Sequence, residues 1–186
     1  RRIYRTDYSI EYSKKRFEIM KIKNGNFILG DAENLPFQNE TFDYVWSWGV
    51  IHHSSSIEKI ITEIHRVLKK KGKSTIMIYN KNSIRYYWWG LYQGIFKLKF
   101  LKYKSLYDVN MSYTDGYIAG HYTAKDIVSL FSLFSIQKQF VCDAGIPSLG
   151  FGWHRFSLIF PGLTKEINTF LNNKFGWFRV INVKKI

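Results

Sequence analysis

Residues 30–53, GDAENLPFQNETFDYVWSWGVIHH, hold an acidic turn, the apolar triplet Leu35-Pro36-Phe37, a strand-like run and a histidine pair. The largely apolar run Phe42–Ser47 suits a strand covered on both faces, because parallel strands between helix layers are hydrophobic continuously rather than alternately. Asn24-Gly25 is turn chemistry, Asn26–Leu29 a short strand and Gly30-Asp31 its carboxyl end. Upstream, Arg2–Thr6 reads as a strand ending at Asp7. Ser9 reads as the cap of a helix reaching about Lys21, with Ile10, Phe17 and Met20 inward.

Downstream, Ile57, Ile60, Ile61, Ile64, Val67 and Leu68 recur at helical spacing behind a Ser55/Glu58 capping box, and Gly72 ends that helix after three lysines. Ser74–Tyr79 is the next strand. The order β-α-β-loop-β-α-β predicts a parallel sheet with right-handed crossovers. Beyond residue 120 the spacing predicts a helix over 124–134, a strand over 136–142, loop over 147–162, a short helix over 163–172 and a last strand over 176–183.

A length of 186 residues with 46% hydrophobic content suits one α/β domain, 1–186. The single cysteine, Cys142, has no internal disulfide partner, and no apolar leader opens the chain, so a reducing cytosol is the default compartment. The net charge of +14 permits an anionic partner, but lysine spread along a chain more often forms a solvated surface. Because the chain opens at Arg1 in RRIYRTD, as if a strand were already under way, it reads as an amino-terminally truncated fragment.

Residues 84–106 stand apart, with eight aromatics, five basic residues and no acid. They lie in an insertion spanning 81–122. Trp88, Leu91, Ile95, Leu98 and Leu101 share a helical face, which predicts an amphipathic lid over a substrate pocket. Second comes an interfacial helix on an anionic membrane, giving membrane association in addition to the cytoplasm. Third and disfavoured is stacking on single-stranded nucleic acid. The segment is too short and too often broken by Gly90, Gly94 and lysines to span a bilayer.

Asp7 and Asp31 both fall at strand ends, and open α/β sheets bind ligands at that edge. One carboxylate there can accept from ribose hydroxyls; the other, with the Ala32 N–H, can read an adenine edge. Either alone is ordinary turn chemistry. The residues Asp31-Ala32, Leu35-Pro36-Phe37, Phe42-Asp43-Tyr44-Val45, His52-His53, Glu63, Arg66-Val67-Leu68-Lys69 and Gly72 together resemble the central segment of class I S-adenosylmethionine-dependent methyltransferases of the type 11, small-molecule group. The likeness is strong over 1–80 and looser after. Tyr122-Thr123-Ala124-Lys125-Asp126 and Gly176-Trp177 to Lys185 are similar to later elements of the same family, the last being an antiparallel strand at the sheet edge that implies completeness at that end.

The resemblance implies a Rossmann-like, doubly wound, mostly parallel sheet with an antiparallel final strand and a helical lid. It implies S-adenosyl-L-methionine as cofactor, with Asp7 on the ribose, Tyr8 packed on adenine, Asp31 and Ala32 on the adenine edge and Leu35 and Phe37 walling it. Ser47, Trp48 and Gly49 would line the cofactor. The family's opening strand and glycine-rich turn have no counterpart here, so the cofactor site is expected to be half present. His53 leads as a base toward a small-molecule acceptor, followed by His52 and Tyr122, with His121 also within the set. No metal is expected, because adjacent histidines rarely converge on one ion. Two alternatives remain open: a non-catalytic Rossmann-like module on a membrane or anionic polymer, and a nicotinamide-dependent oxidoreductase.

Overall fold

A computed structural model describes residues 2–4, 6–113, 118–143 and 158–186. The chain opens with β1 (Arg2–Tyr4), α1 (Asp7–Ile19) and β2 (Phe27–Leu29), and β1 and β2 pair in parallel with Ile3 opposite Ile28. The cap of α1 is Thr6, not Ser9: the Thr6 hydroxyl accepts from the Ser9 N–H, which places Asp7 in the first helical turn. Phe17 is the buried residue of this helix and packs edge-on against Phe27 at 4.9 Å, whereas Met20 is exposed.

The main sheet has five strands: β3 (Phe42–Trp48), β4 (Leu68–Asn80), β5 (His121–Tyr122), β6 (Phe134–Cys142) and β7 (Phe178–Lys185). Its order is β3-β4-β7-β6, with β5 alongside the end of β4. β3 and β5 run parallel to β4, and β7 runs antiparallel to both β4 and β6. The antiparallel final strand is therefore present, but it lies inside the sheet and β6 takes the edge.

One face of this sheet is covered by α2 (Ile57–Val67), whose Ile57, Ile60, Ile61, Ile64 and Val67 are all buried. They meet Ile76, Ile78 and Ile181 from the sheet and Ile127 and Phe131 from the region of α5 (Ala124–Leu130). Burying each such side chain is worth roughly 1.5–3 kcal/mol, so this layer carries most of the cohesion. The start of α2 departs from the predicted capping box. Ser56 is the cap without a side-chain bond, and its N–H donates instead to the Ser54 hydroxyl at 2.8 Å.

The helix also stops at Val67 rather than at Gly72. Leu68 pairs with Phe42 and the next pairing is Tyr44 with Lys73, so the lysines form a bulge within β4. Lys71 is left-handed at φ 61°, and a Cβ on Gly72 would stand 2.9 Å from the Lys69 carbonyl, which is why the glycine belongs in that bulge. The predicted helix over 124–134 is likewise shorter, because Phe134 already pairs with Lys185. Of the loop expected over 147–162, residues 147–157 lie outside the described residues, and Pro161 and Gly162 begin α6 (Pro161–Phe175). The Asp115-Gly116 turn also lies outside the described residues.

The β1–β2 pair is not hydrogen-bonded into the main sheet. Ile3 of β1 and Val45, Trp46, Ser47 and Trp48 of β3 line one cavity of about 600 Å³. Tyr44, Trp46 and Trp48 are exposed on β3, and the two tryptophan rings stack at 5.0 Å.

Between β4 and β5 the chain forms a π-helical turn (Arg85–Trp89), α3 (Gly90–Ile95), a 3-10 turn (Lys99–Leu101) and α4 (Leu106–Met111). The expected amphipathic lid helix is not one helix, and its apolar stripe does not face inward. Trp88, Leu91, Ile95, Leu98 and Leu101 are 44–86% exposed. The inward face is made by Gly90 and Gly94, both buried. A Cβ on Gly90 would lie 2.6 Å from Asn110 Nδ2, and one on Gly94 would run into the Phe100 ring. Asn110 donates to the Tyr86 and Leu106 carbonyls at 3.1 and 2.9 Å, closing α4 onto the turn. Among the described residues, no helix is long and apolar enough to cross a membrane.

Candidate functional site

The loops after β2 and β3 come together at the carboxyl ends of their strands. After β3, Gly49 adopts φ 71°, a conformation that favours glycine, and turns the chain into the 3-10 turn Ile51–His53. After β2, Asp31 Oδ1 accepts from the Glu33 N–H at 2.9 Å in a tight turn. Glu33 then accepts from the Ser54 hydroxyl at 2.6 Å, tying one loop to the other. Neither Glu33 nor Ser54 stands out in the sequence, since a contact 21 residues apart leaves no local signal.

A second clamp holds Leu35-Pro36-Phe37. Arg66 donates to the Leu35 and Phe37 carbonyls at 3.0 and 2.7 Å and makes a two-pronged pair with Glu63, which in turn accepts from the Leu35 N–H at 2.7 Å. The Arg66 hydrogen bond holds the Glu63 carboxyl below its ordinary range. Glu63 and Arg66 therefore position the loop that walls the site from one turn of α2.

Asp31, Ala32, Gly49 and His53 line one cavity of about 380 Å³, walled by Ile3, Val50, Ile60 and Ile118. Ala32, Leu35, Ser47 and Trp48 line the adjoining cavity beside β3. Asp7 and Tyr8 line neither: both are exposed on the first turn of α1, Tyr8 at 78%. Phe37 lines neither cavity but packs edge-on at 4.8 Å against Phe42, which lines the one beside β3.

The two neighbouring histidines have opposite environments. His53 lines the cavity, and its Nδ1 stands 2.8 Å from the Ile118 carbonyl, an acceptor only, so Nδ1 carries a proton and Nε2 is the nitrogen that can take one in the neutral ring. His52 is fully buried, 4.0 Å from the Tyr79 ring and 4.2 Å from His53. Burial, then the charges of His53 and His121, push it down to about 3, so it stays neutral and lines neither cavity. His121 is also buried and pushed down to about 4, chiefly by desolvation. No ring nitrogen of either residue makes a well-formed hydrogen bond, and the Met77 and Ala119 backbones nearby offset the desolvation only in part.

Around these imidazoles stand Tyr79, Tyr86 and Trp177, with the Arg85 guanidinium 4.9 Å above the indole. Tyr122 packs half-buried against the core, lines neither cavity and is raised to about 12 by burial. Among the described residues, no group of three His, Cys, Asp or Glu could hold a metal ion.

Residues 1–76 match the family described as "Methyltransferase domain". The chain is 37% identical over 70 residues to a demethylmenaquinone methyltransferase of Thermotoga maritima, covering 37% of this chain and 31% of that protein. It is 35% identical over 68 residues to a ubiquinone/menaquinone biosynthesis C-methyltransferase of Rickettsia prowazekii, covering 37% and 27%. The chain thus spans about a third or less of the length of these curated relatives. A crystal structure of a SAM-dependent methyltransferase from Methanosarcina mazei superposes with a TM-score of 0.62 at 20% identity, covering 99% of this chain and 80% of that one. The family match is thus confined to residues 1–76, while the described residues share the fold of this solved methyltransferase.

Proposed function

We propose that the chain forms part of an S-adenosylmethionine-dependent methyltransferase that acts on a small-molecule acceptor. The observation that carries this reading is the shared cavity of Asp31, Ala32, Gly49 and His53. A carboxylate set among apolar walls suits the adenosine portion of the cofactor: Asp31 accepts hydrogen bonds, while Ile3, Val50 and Ile60 exclude water from a flat base. Bound there, the cofactor would supply an electrophilic methyl group on sulfur.

His53 Nε2, with its partner nitrogen held on the Ile118 carbonyl, is placed to take a proton from an acceptor as it is alkylated. The burial of His52 supports His53 as the base. Holding the acceptor close and aligned in a water-poor pocket contributes the remaining acceleration. Asp7 and Tyr8 would reach the ribose and adenine only after a movement of α1. The exposed apolar and basic face of 84–106 supports contact with a membrane surface, and the relatives that act on quinones favour an acceptor with apolar bulk.

Calorimetry with S-adenosylhomocysteine tests the assignment. Asp31→Ala is expected to weaken binding about tenfold, the loss of one charge-assisted hydrogen bond. Measured with the family's opening strand and glycine-rich turn restored ahead of the chain, equal affinity in the two proteins, or no affinity in either, rejects it. His53→Gln should lower kcat with KM little changed.

A further inference from the structure

Trp88, Leu91, Ile95, Phe96, Leu98 and Leu101 are 44–86% exposed within fourteen residues, the tip Leu101 most of all. In between and just beyond come Lys97, Lys99, Lys102 and Lys104, with no acidic residue from 84 to 106. Lys99 is partly occupied: its ammonium donates to the Ser112 hydroxyl at 2.8 Å and lies 5.3 Å over the Tyr113 ring. Lys97, Lys102 and Lys104 make no ion pair among the described residues. Gly90 packs against Asn110 and Leu106 of α4 and Gly94 against Phe100 of the 3-10 turn, so the segment already presents its apolar side without rearrangement.

We infer that the protruding segment Trp88–Leu101 is an interfacial anchor for anionic lipid bilayers. Its aliphatic and aromatic tips enter the acyl boundary while Lys97, Lys102 and Lys104 reach headgroup phosphates. The inference sharpens the membrane-contact reading given above and is independent of the methyl-transfer reading, because its readout is lipid binding alone.

Three features select a bilayer. The chain turns at the left-handed Leu98 (φ 52°) between α3 and the 3-10 turn, so the exposed apolar groups are divided over three short elements and do not lie on the one continuous helix that a protein groove takes. The most exposed groups include Ile95, Leu98 and Leu101, which have no ring to stack on a base. Three of the segment's aromatic rings contact one another, Trp89 with Tyr92 at 5.3 Å and Tyr92 with Phe96 at 5.5 Å. Apolar tips alternating with lysines that make no ion pair among the described residues, Lys102 lying 5.5 Å over the Tyr103 ring, match the layering of acyl chains below anionic headgroups.

Co-sedimentation tests this with vesicles of phosphatidylcholine alone and of phosphatidylcholine mixed with phosphatidylglycerol. Binding to the mixed vesicles is expected to exceed binding to the neutral ones at least tenfold or so, and to weaken as salt is raised. Leu101→Asp with Phe96→Asp, both at exposed positions that should not disturb folding, should abolish it. Val128→Asp, on the exposed side of α5, should not. Equal sedimentation with and without phosphatidylglycerol, binding that survives the double substitution, or a solution dimer broken by it without any vesicle binding would each overturn the inference.

Discussion

Helix α2 and the segment around α3 carry the same kind of apolar periodicity and meet opposite fates. In α2 the isoleucine stripe is buried within a few per cent of completeness; around α3 the stripe of Trp88 in the π-helical turn and Leu91 and Ile95 in the helix faces solvent. The difference lies on the opposite side of each helix. The outer face of α2 is polar, with Glu63 and Arg66 fastened to a loop, so the apolar side is the only one that can meet the sheet. α3 has glycines on its other face, and two glycines allow an approach to α4 and Phe100 that no larger residue permits. Close backbone packing gains dispersion contacts, leaving the large side chains unpartnered. Apolar spacing therefore marks a face, and the neighbouring elements decide whether it is buried.

That comparison can be broken most sharply by truncating one residue from each stripe. Ile61→Ala in α2 removes a buried side chain and should cost about 2–5 kcal/mol in denaturant unfolding. A value below one kilocalorie would mean that α2 is not the organising helix.

The seam between the two regions contains His52 and His121, and Tyr86 of the π-helical turn lies 5.0 Å from His121. Both folded values lie below the ordinary 6.5, so the unfolded chain binds more protons between those limits. Stability is thus fully present above about pH 6.5 and is lost as pH falls toward the folded values, by roughly 2–4 kcal/mol at pH 5 for the two together. Urea midpoints at pH 7 and pH 5 measure it, and His121→Phe should roughly halve the dependence.

Smaller effects test the supports on either side. Arg66→Ala leaves Glu63 and the Leu35 and Phe37 carbonyls without their donor and should cost about 1.5–3 kcal/mol, with weaker S-adenosylhomocysteine binding by calorimetry. Gly90→Ala places a methyl against Asn110 and Leu106 and should cost about 1–2 kcal/mol despite the better helix propensity of alanine. Ile95→Ala, at 54% exposure, should fall within about 0.5 kcal/mol, and a larger loss would show that the stripe is covered in solution.

Much of the site was legible because it depends on short-range order. Asp31-Ala32 ends a strand and Gly49-Val50 follows the next, so topology alone brings them to one edge, and they share a cavity. Asp7 was read from the same rule, but Thr6 rather than Ser9 caps the helix, which therefore begins three residues earlier and leaves Asp7 exposed in its first turn. Position after the strand ranked His53 ahead of His52 but carried no reason for their different surroundings: His53 lines the cavity and His52 is buried among aromatic rings because a 3-10 turn points consecutive side chains in different directions.

The sequence by itself determined the elements whose cause is local or periodic: the isoleucine face of α2, the buried run of β4, the turn chemistry around Asp31 and the lysine-aromatic composition of 84–106. Tertiary structure alone decided the insertion of β7 between β4 and β6, the gap between β1 and β3, the Glu33–Ser54 tie and the outward face of α3. Each of these depends on which surfaces, far apart in the chain, fit most closely. Hydrophobic spacing carries no information about the shape of the surface opposite.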